Sequence, residues 1–163
     1  MKIRVLSVVA ASLLVAACSS GPQESADTSG AGKGAASSSV TAPVPGSPEH
    51  FLANAKDRVF FALDRSDLDE SAVKSLMGQA AWLKTYPNTK ITIEGHADER
   101  GTREYNLALG ERRANAVKNF LQAQGVAAAR ITTVSYGKER PAVMGSNEYA
   151  WSQNRRAVTV VQK

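Results

Sequence analysis

The sequence predicts an α/β domain in which helices pack on a mixed four-stranded sheet. Short apolar segments that are typical of strands recur from residue 58 onward in this chain of 163 residues. Two longer segments between them carry apolar side chains at helical spacing. The chain has one cysteine, so a packed core and not an internal disulfide must stabilise the fold. The predicted element order is βαβαββ, within a domain of residues 51–163.

The first predicted strand, Arg58–Leu63, is short, apolar and aromatic. A helix is expected next, with Asp69 as its N-cap and Pro87-Asn88 at its end. Its apolar side chains recur at helical spacing: Val73, Leu76, Met77, Ala80 and Leu83. A domain of this length has enough residues for one core and too few for two.

The remaining elements follow with the same alternation. Lys90–Glu94 alternates in polarity as a strand does. A polar loop, Gly95–Thr102, then leads into a second helix, Arg103–Gln124, which a glycine terminates. Ile131–Tyr136 and Arg156–Val161 are the third and fourth predicted strands. Helices separated by strands in this order indicate a layered α/β fold.

The residues before this domain have the layout of an exported chain with a lipid anchor. Lys2 and Arg4 precede a short apolar segment, and small residues lead to Cys18, so residues 1–17 are predicted to be a signal peptide. Val15–Cys18 resembles the lipobox of bacterial lipoproteins, which implies acylation of Cys18. An incidental cysteine beside an ordinary cleavage site is the alternative. Residues 18–50 are rich in Ser, Gly, Ala and Pro and are predicted to form a disordered tether.

Charge and composition argue against a nucleic-acid partner and against a metal site. Lys2 and Arg4 account for two of the five formal positive charges, which leaves +3 after the signal peptide. This mild excess does not favour a nucleic-acid partner. No cofactor and no metal are predicted, because His96 has no second histidine or cysteine near it in the sequence. His96 is expected instead to fix its loop through hydrogen bonds.

A charged residue on an apolar helix face marks the candidate site. Arg113 lies four residues after Leu109 and four before Val117. It must reach solvent, pair with a protein carboxylate in a structural salt bridge, or bind an anionic ligand. Asp98, in the loop before the helix, offers the opposite charge, and Asp64 is expected to join the same rim. The Asp98–Arg113 pair matches a zwitterion, with ammonium on carboxylate and carboxylate on guanidinium.

Several separated segments resemble the OmpA-like domain family in order and spacing. They are Gly95–Thr102, Tyr105–Ala114, Ser135–Pro141 and Asn154–Val158. The resemblance extends from about residue 57 to 161. It implies the family's fold and non-covalent binding of peptidoglycan through meso-diaminopimelate of the stem peptide.

The resemblance also implies roles for single residues. In the family, an aspartate after Gly-His-x and an arginine on the next helix hold the free amino-acid end of diaminopimelate. These positions are Asp98 and Arg113 in this chain. Leu63 and Asp64 fall where related lipoproteins contact the ligand, although the family commonly has an aromatic residue at the position of Leu63.

The family signature Asn-Arg is matched by Asn154 and Arg155, which are expected to support the site. The lipoproteins of this family imply partnership with the Tol proteins, especially TolB, and a role in outer-membrane constriction during division. Ser19 departs from the aspartate that is associated with inner-membrane retention. The resemblance therefore implies a lipid anchor in the outer membrane and a domain in the periplasm.

Two alternatives stay open beside this non-enzymatic binder. One is a peptidoglycan hydrolase that uses Asp98 and Glu99 as acid and base, although adjacent loop acids offer no sign of separated pKa values. The other is a wall-binding lipoprotein of the same family that acts outside the Tol system.

Overall fold

The computed structural model describes residues 42–162. Its elements in chain order are α1 (Pro48–Asn54), β1 (Arg58–Phe60), α2 (Glu70–Thr85), β2 (Ile91–His96), α3 (Arg103–Ala123), β3 (Ile131–Gly137), α4 (Glu148–Asn154) and β4 (Arg156–Val161). A short 3-10 turn, Ala128–Arg130, precedes β3. Within residues 42–162, no helix is both long and apolar enough to cross a bilayer. The predicted signal peptide, Cys18 and most of the predicted tether lie outside the described residues.

The four strands form one mixed sheet in the order β1-β4-β2-β3. Strand β4 is last in the sequence but lies inside the sheet, antiparallel to both β1 and β2. Strands β2 and β3 are parallel, and α3 forms the crossover between them. The predicted fold, helices on a mixed four-stranded sheet, is confirmed.

The structure contains two short helices that the sequence analysis did not predict. Helix α1 begins at Pro48, within the last residues assigned to the tether, and the side chain of Ser47 caps it. Asn147 caps α4 in the same way. Each helix has seven residues, which is too few for a clear helical period in the sequence.

A single apolar cluster joins α2, α3 and the sheet. Its most deeply buried members come from all three, and include Leu76, Leu83, Ile91, Ile93, Val117 and Leu121. Trp82 is buried in this cluster and Phe120 packs against it. Gln79 is also buried, and it accepts a hydrogen bond from the hydroxyl of Thr159, a central-strand residue.

Two glycines allow α3 to lie directly on the sheet. A Cβ atom on Gly95 of β2 would overlap the carbonyl oxygen of Gly110, and one on Gly110 would overlap the hydroxyl of Ser135. This close approach brings the face of α3 one turn beyond Gly110, where Arg113 lies, against the carboxyl end of β2. The candidate site lies at that end of the sheet.

Candidate functional site

A cavity of about 290 Å³ opens where the end of β1, the loop after β2 and the first turns of α3 meet. Its lining comprises Leu63, Asp64, Asp98, Arg100, Gly101, Tyr105, Asn106, Leu109 and Arg113. Four of the six predicted site residues are in this set: Leu63, Asp64, Asp98 and Arg113. The other two, Asn154 and Arg155, are not. A larger depression beside Tyr86 has Lys90 as the charged residue of its lining and offers no pair of opposite charges.

Arg113 is completely buried, and its partners differ from those predicted. Nε donates to the carbonyl oxygen of Arg65 (2.9 Å), Nη1 to that of His96 (2.8 Å), and Nη2 to that of Ala62 (3.1 Å). Among residues 42–162, no carboxylate lies within ion-pair distance of this guanidinium, so the structure does not support the structural salt bridge, one of the three alternatives for Arg113. The loop after β1 and the last residue of β2 turn carbonyl groups towards α3, and these take the place of a carboxylate.

These contacts leave Arg113 with binding capacity. A guanidinium has five N–H groups, of which three are used within the described part of the chain. Burial lowers the pKa of Arg113 to about 10, and the nearby carboxylates of Asp98 and Asp64 oppose this effect. The group is therefore ionised at neutral pH, with one N–H remaining on each terminal nitrogen.

Asp98 is 4% exposed and has other arginine partners than Arg113. The Arg100 side chain donates to its two oxygens from Nη2 (2.6 Å) and Nε (3.2 Å), and the Arg100 backbone N–H also donates (3.1 Å). Arg155 Nη1 lies 3.4 Å away. Burial by itself would raise the pKa of Asp98, but these hydrogen bonds outweigh burial and hold the pKa below its ordinary value. The carboxylate is thus ionised at neutral pH.

The rim of the cavity includes a half-exposed tyrosine. Tyr105 is 43% exposed, and its hydroxyl donates a hydrogen bond to the carboxylate of Asp64. Asp64 adopts a left-handed backbone conformation, with φ of 58°. Leu63 is exposed beside it. Because Thr102 caps α3 at the Tyr105 backbone, the helix start determines where this ring lies.

Asn154 and Arg155 lie outside the cavity lining and make supporting contacts. The Asn154 amide accepts from the backbone N–H groups of Ala142 and Val143, and so holds the loop before α4. Arg155 donates to the carbonyl oxygen of Phe61 (3.1 Å) and to the carboxylate of Glu148 (2.6 Å). Through its contact with Asp98, Arg155 connects the end of β1 to the loop after β2.

Comparison with known proteins shows the family of this chain. The model of the OmpA family matches residues 60–155. The chain belongs to the OmpA family. The peptidoglycan-associated lipoprotein of Brucella melitensis is 52% identical over 153 residues, which cover 92% of this chain and 86% of the relative. The one from Agrobacterium fabrum is 56% identical over 117 residues, 72% of this chain and 66% of the relative.

A solved structure supports the same placement of this OmpA domain. The crystal structure of the peptidoglycan-associated lipoprotein from Burkholderia pseudomallei is 45% identical and superimposes with a TM-score of 0.64. The match covers 66% of this chain and 91% of that one. The resemblance to the OmpA-like family, and to its peptidoglycan-associated lipoproteins in particular, is confirmed.

The ring of His96 is buried in the OmpA domain. Within the described range, neither ring nitrogen has a partner that meets strict hydrogen-bond geometry, but Glu94 Oε2 lies 3.7 Å from Nε2 and the Arg140 backbone is near enough to act on the ring as a weaker hydrogen-bond partner. Burial, assisted by the positive charges of Arg156 and Arg140, outweighs the interaction with the Arg140 backbone, which raises the pKa, and lowers the pKa of His96 to about 4. The ring is therefore neutral at pH 7. The part of His96 that holds the loop is its carbonyl oxygen, through Arg113. No cluster of three or more His, Cys, Asp or Glu side chains suited to a metal occurs in residues 42–162.

Sequence reasoning missed Arg100 and Tyr105 as members of the site. Arg100 is two residues from Asp98, a spacing at which a loop can fold back on its own carboxylate. Tyr105 belongs to a helix whose apolar side suggested core packing. Only the contact between the loop after β1 and α3 shows that the ring lies at the rim.

Proposed function

We propose that this chain is an outer-membrane lipoprotein that binds peptidoglycan non-covalently through the diaminopimelate of the stem peptide. It tethers the outer membrane to the cell wall as part of the Tol–Pal system. The observation that carries the proposal is one cavity lined by an ionised carboxylate, Asp98, and a buried guanidinium, Arg113, with N–H groups to spare.

The chemistry of the cavity fits a zwitterionic amino-acid end. The ligand's carboxylate would accept from the two remaining N–H groups of Arg113, and its ammonium would bind Asp98. Leu63, Leu109 and the ring of Tyr105 offer apolar surface for the carbon chain between the charged groups. Such a site recognises a free amino-acid end and not a peptide bond, which has neither charge.

Binding is favoured over hydrolysis by the electrostatics of the two acids. A hydrolase needs one carboxyl with a raised pKa to serve as general acid. Hydrogen bonds from Arg100 lower the pKa of Asp98, and hydrogen bonds from Ser146 and Trp151 lower that of Glu99. Both groups are carboxylates at neutral pH, which suits ammonium binding.

The N-terminal sequence supports the proposed lipid anchor, and the similarity to known relatives supports the proposed partners. Cys18 would carry the fatty chains, with residues 18–50 as the tether and 51–163 as the wall-binding domain. Ser19 favours delivery to the outer membrane. The kinship with peptidoglycan-associated lipoproteins supports TolB and other Tol proteins as partners and a role in envelope constriction during division.

Sedimentation with isolated sacculi tests the wall-binding step. The wild-type domain should pellet with sacculi and release no soluble fragments. Asp98→Asn should weaken binding at least tenfold, because a charge-assisted hydrogen bond contributes about 1.5–3 kcal/mol. Asp67→Asn is the matched control, since Asp67 is an exposed carboxylate that pairs with Arg65 outside the cavity lining. Equal pelleting of Asp98→Asn and wild type would refute the proposed site.

A further inference from the structure

The carboxylate proposed to receive the ligand's ammonium already holds a cation of this chain. Arg100 Nη2 lies 2.6 Å from Oδ2 of Asp98, Nε lies 3.2 Å from Oδ1, and the backbone N–H adds a third contact. Since Asp98 is almost fully covered, an incoming ammonium cannot reach it while this guanidinium stays in place.

Of the two arginines on Asp98, only Arg100 is free to leave. The Arg155 side chain is 8% exposed and is also bound to the Phe61 carbonyl and to Glu148. The Arg100 side chain is 34% exposed and lines the cavity. Its guanidinium lies over the ring of Trp151, 4.1 Å from the ring centroid.

A displaced Arg100 would keep favourable surroundings. The face of Trp151 supports a guanidinium that rotates away from Asp98. The carboxylates of Glu99 and Glu148 both attract Arg100, and that of Glu148 is largely exposed. When Arg100 moves, its guanidinium therefore exchanges the carboxylate of Asp98 for that of Glu99 or Glu148. With the ligand's ammonium on Asp98, no charge is left unpaired in the interior.

We infer that Arg100 is a specificity-determining residue, a resident cation that only a ligand with its own ammonium group can displace from Asp98. The inference rests on the proposed binding of a zwitterionic amino-acid end. A ligand with a carboxylate alone cannot compensate Asp98 and leaves Arg100 in place. Selectivity thus arises from competition between Arg100 and the ligand's ammonium for one carboxylate. The ligand's apparent affinity equals its intrinsic affinity multiplied by the fraction of open sites, in which Arg100 has left Asp98.

Paired ligands and paired variants test this inference. The ligands are a soluble tripeptide ending in meso-diaminopimelate and the same tripeptide ending in 2-aminopimelate, which lacks the distal amine. If the closed arrangement outweighs the open one about tenfold, Arg100→Ala should tighten binding of the first ligand about tenfold. Binding of the second ligand should not tighten. Arg103→Ala is the control, because it removes an exposed arginine that pairs with Glu139 and should change neither affinity.

Arg100→Gln is a second variant that controls for misfolding of Arg100→Ala, since glutamine can keep one hydrogen bond to Asp98 without the charge. It should tighten binding of the diaminopimelate tripeptide by a smaller factor than Arg100→Ala. Weaker binding of that tripeptide by both variants would show that Arg100 contacts the ligand and would overturn the inference. Equal tightening for both tripeptides would overturn it as well, because a general change of charge would then explain the gain. If wild type and both variants bind neither tripeptide, the proposed function fails and the inference fails with it.

Discussion

At the scale of single residues, Arg113 combines a structural and a binding role. Its guanidinium satisfies three carbonyl oxygens, two on the loop after β1 and one at the last residue of β2. The same group supplies the positive end of the cavity. A loss of wall binding on its removal would therefore not by itself identify a ligand contact.

Replacing Arg113 by alanine should destabilise the domain. The buried carbonyl oxygen of His96 would lose its donor, and such a group left unpaired costs about 1–3 kcal/mol. The carbonyl oxygens of Ala62 and Arg65 would lose theirs as well, but they belong to exposed residues that water can reach. We expect the free energy of unfolding, measured by urea titration, to fall by at least about 1 kcal/mol. Arg113→Lys keeps the charge but reaches fewer carbonyls, so its loss should be smaller. An unchanged urea midpoint for Arg113→Ala would contradict the structural role.

His96 should give the domain a pH-dependent stability. Its folded pKa of about 4 lies below the ordinary 6.5, so unfolding takes up a proton between these values. Stability should therefore fall as the pH is lowered from about 6.5 to about 4, and this contribution should level off below that. In His96→Phe, which retains an aromatic ring beside Tyr136, the slope should become shallower. Identical slopes for the two proteins in urea titrations across this range would refute the assignment.

At the scale of secondary structure, the contact between β2 and α3 positions the site. Helix α3 carries Arg113, and the loop after β2 carries Asp98 and Arg100. The separation of these groups depends on how closely the helix approaches the strand. The glycines at positions 95 and 110 set that distance, because each lacks a side chain where the other backbone passes.

A methyl group at Gly95 should separate the helix from the strand. Gly95→Ala places a Cβ inside contact distance of the Gly110 carbonyl, so the backbone must shift. Overpacking of this kind typically costs about 1–3 kcal/mol, and sacculus binding should fall in parallel. The control is Gly78→Ala on α2, where a Cβ meets no atom within 4 Å. That variant should gain about 0.5–1 kcal/mol and bind normally. Tight wall binding by Gly95→Ala would show that the site does not depend on this contact.

At the scale of the whole molecule, the proposed function needs two attachments joined by a chain. A tether of roughly thirty residues spans about 30 Å as a random coil and about 100 Å when fully extended. Two or more fatty chains hold a protein firmly in a bilayer, at about 0.8 kcal/mol per buried methylene. The membrane contact and the wall contact should therefore be separable by mutation.

Cys18→Ser should release the protein from membranes while leaving wall binding intact. Asp98→Asn should have the reverse effect, with membrane association retained and sacculus binding lost. Cell fractionation before and after wall digestion would measure both properties for each variant. Membrane sedimentation of Cys18→Ser after wall digestion would show that another feature anchors the chain.

The sequence by itself determined the fold class and the main elements. Helices α2 and α3 are long enough for their apolar spacing to be visible, and the four strands alternate or are wholly apolar. It also indicated that an apolar helix face carries a charge at Arg113 and that Asp98 lies near it. The element patterns and the charge on the helix face are local, since they depend on neighbours within a few residues, and the nearness of Asp98 follows from the short loop that joins β2 to α3.

Only the tertiary structure decided which groups these charges contact. Two of the carbonyl partners of Arg113 lie 48 and 51 residues away along the chain, on the loop after β1, which only the tertiary fold brings close to α3. Asp98 is bound by a loop neighbour and by Arg155, which is 57 residues distant. Hydrogen-bond partners depend on atomic positions to within about half an ångström, and residue spacing along a chain does not specify positions that finely.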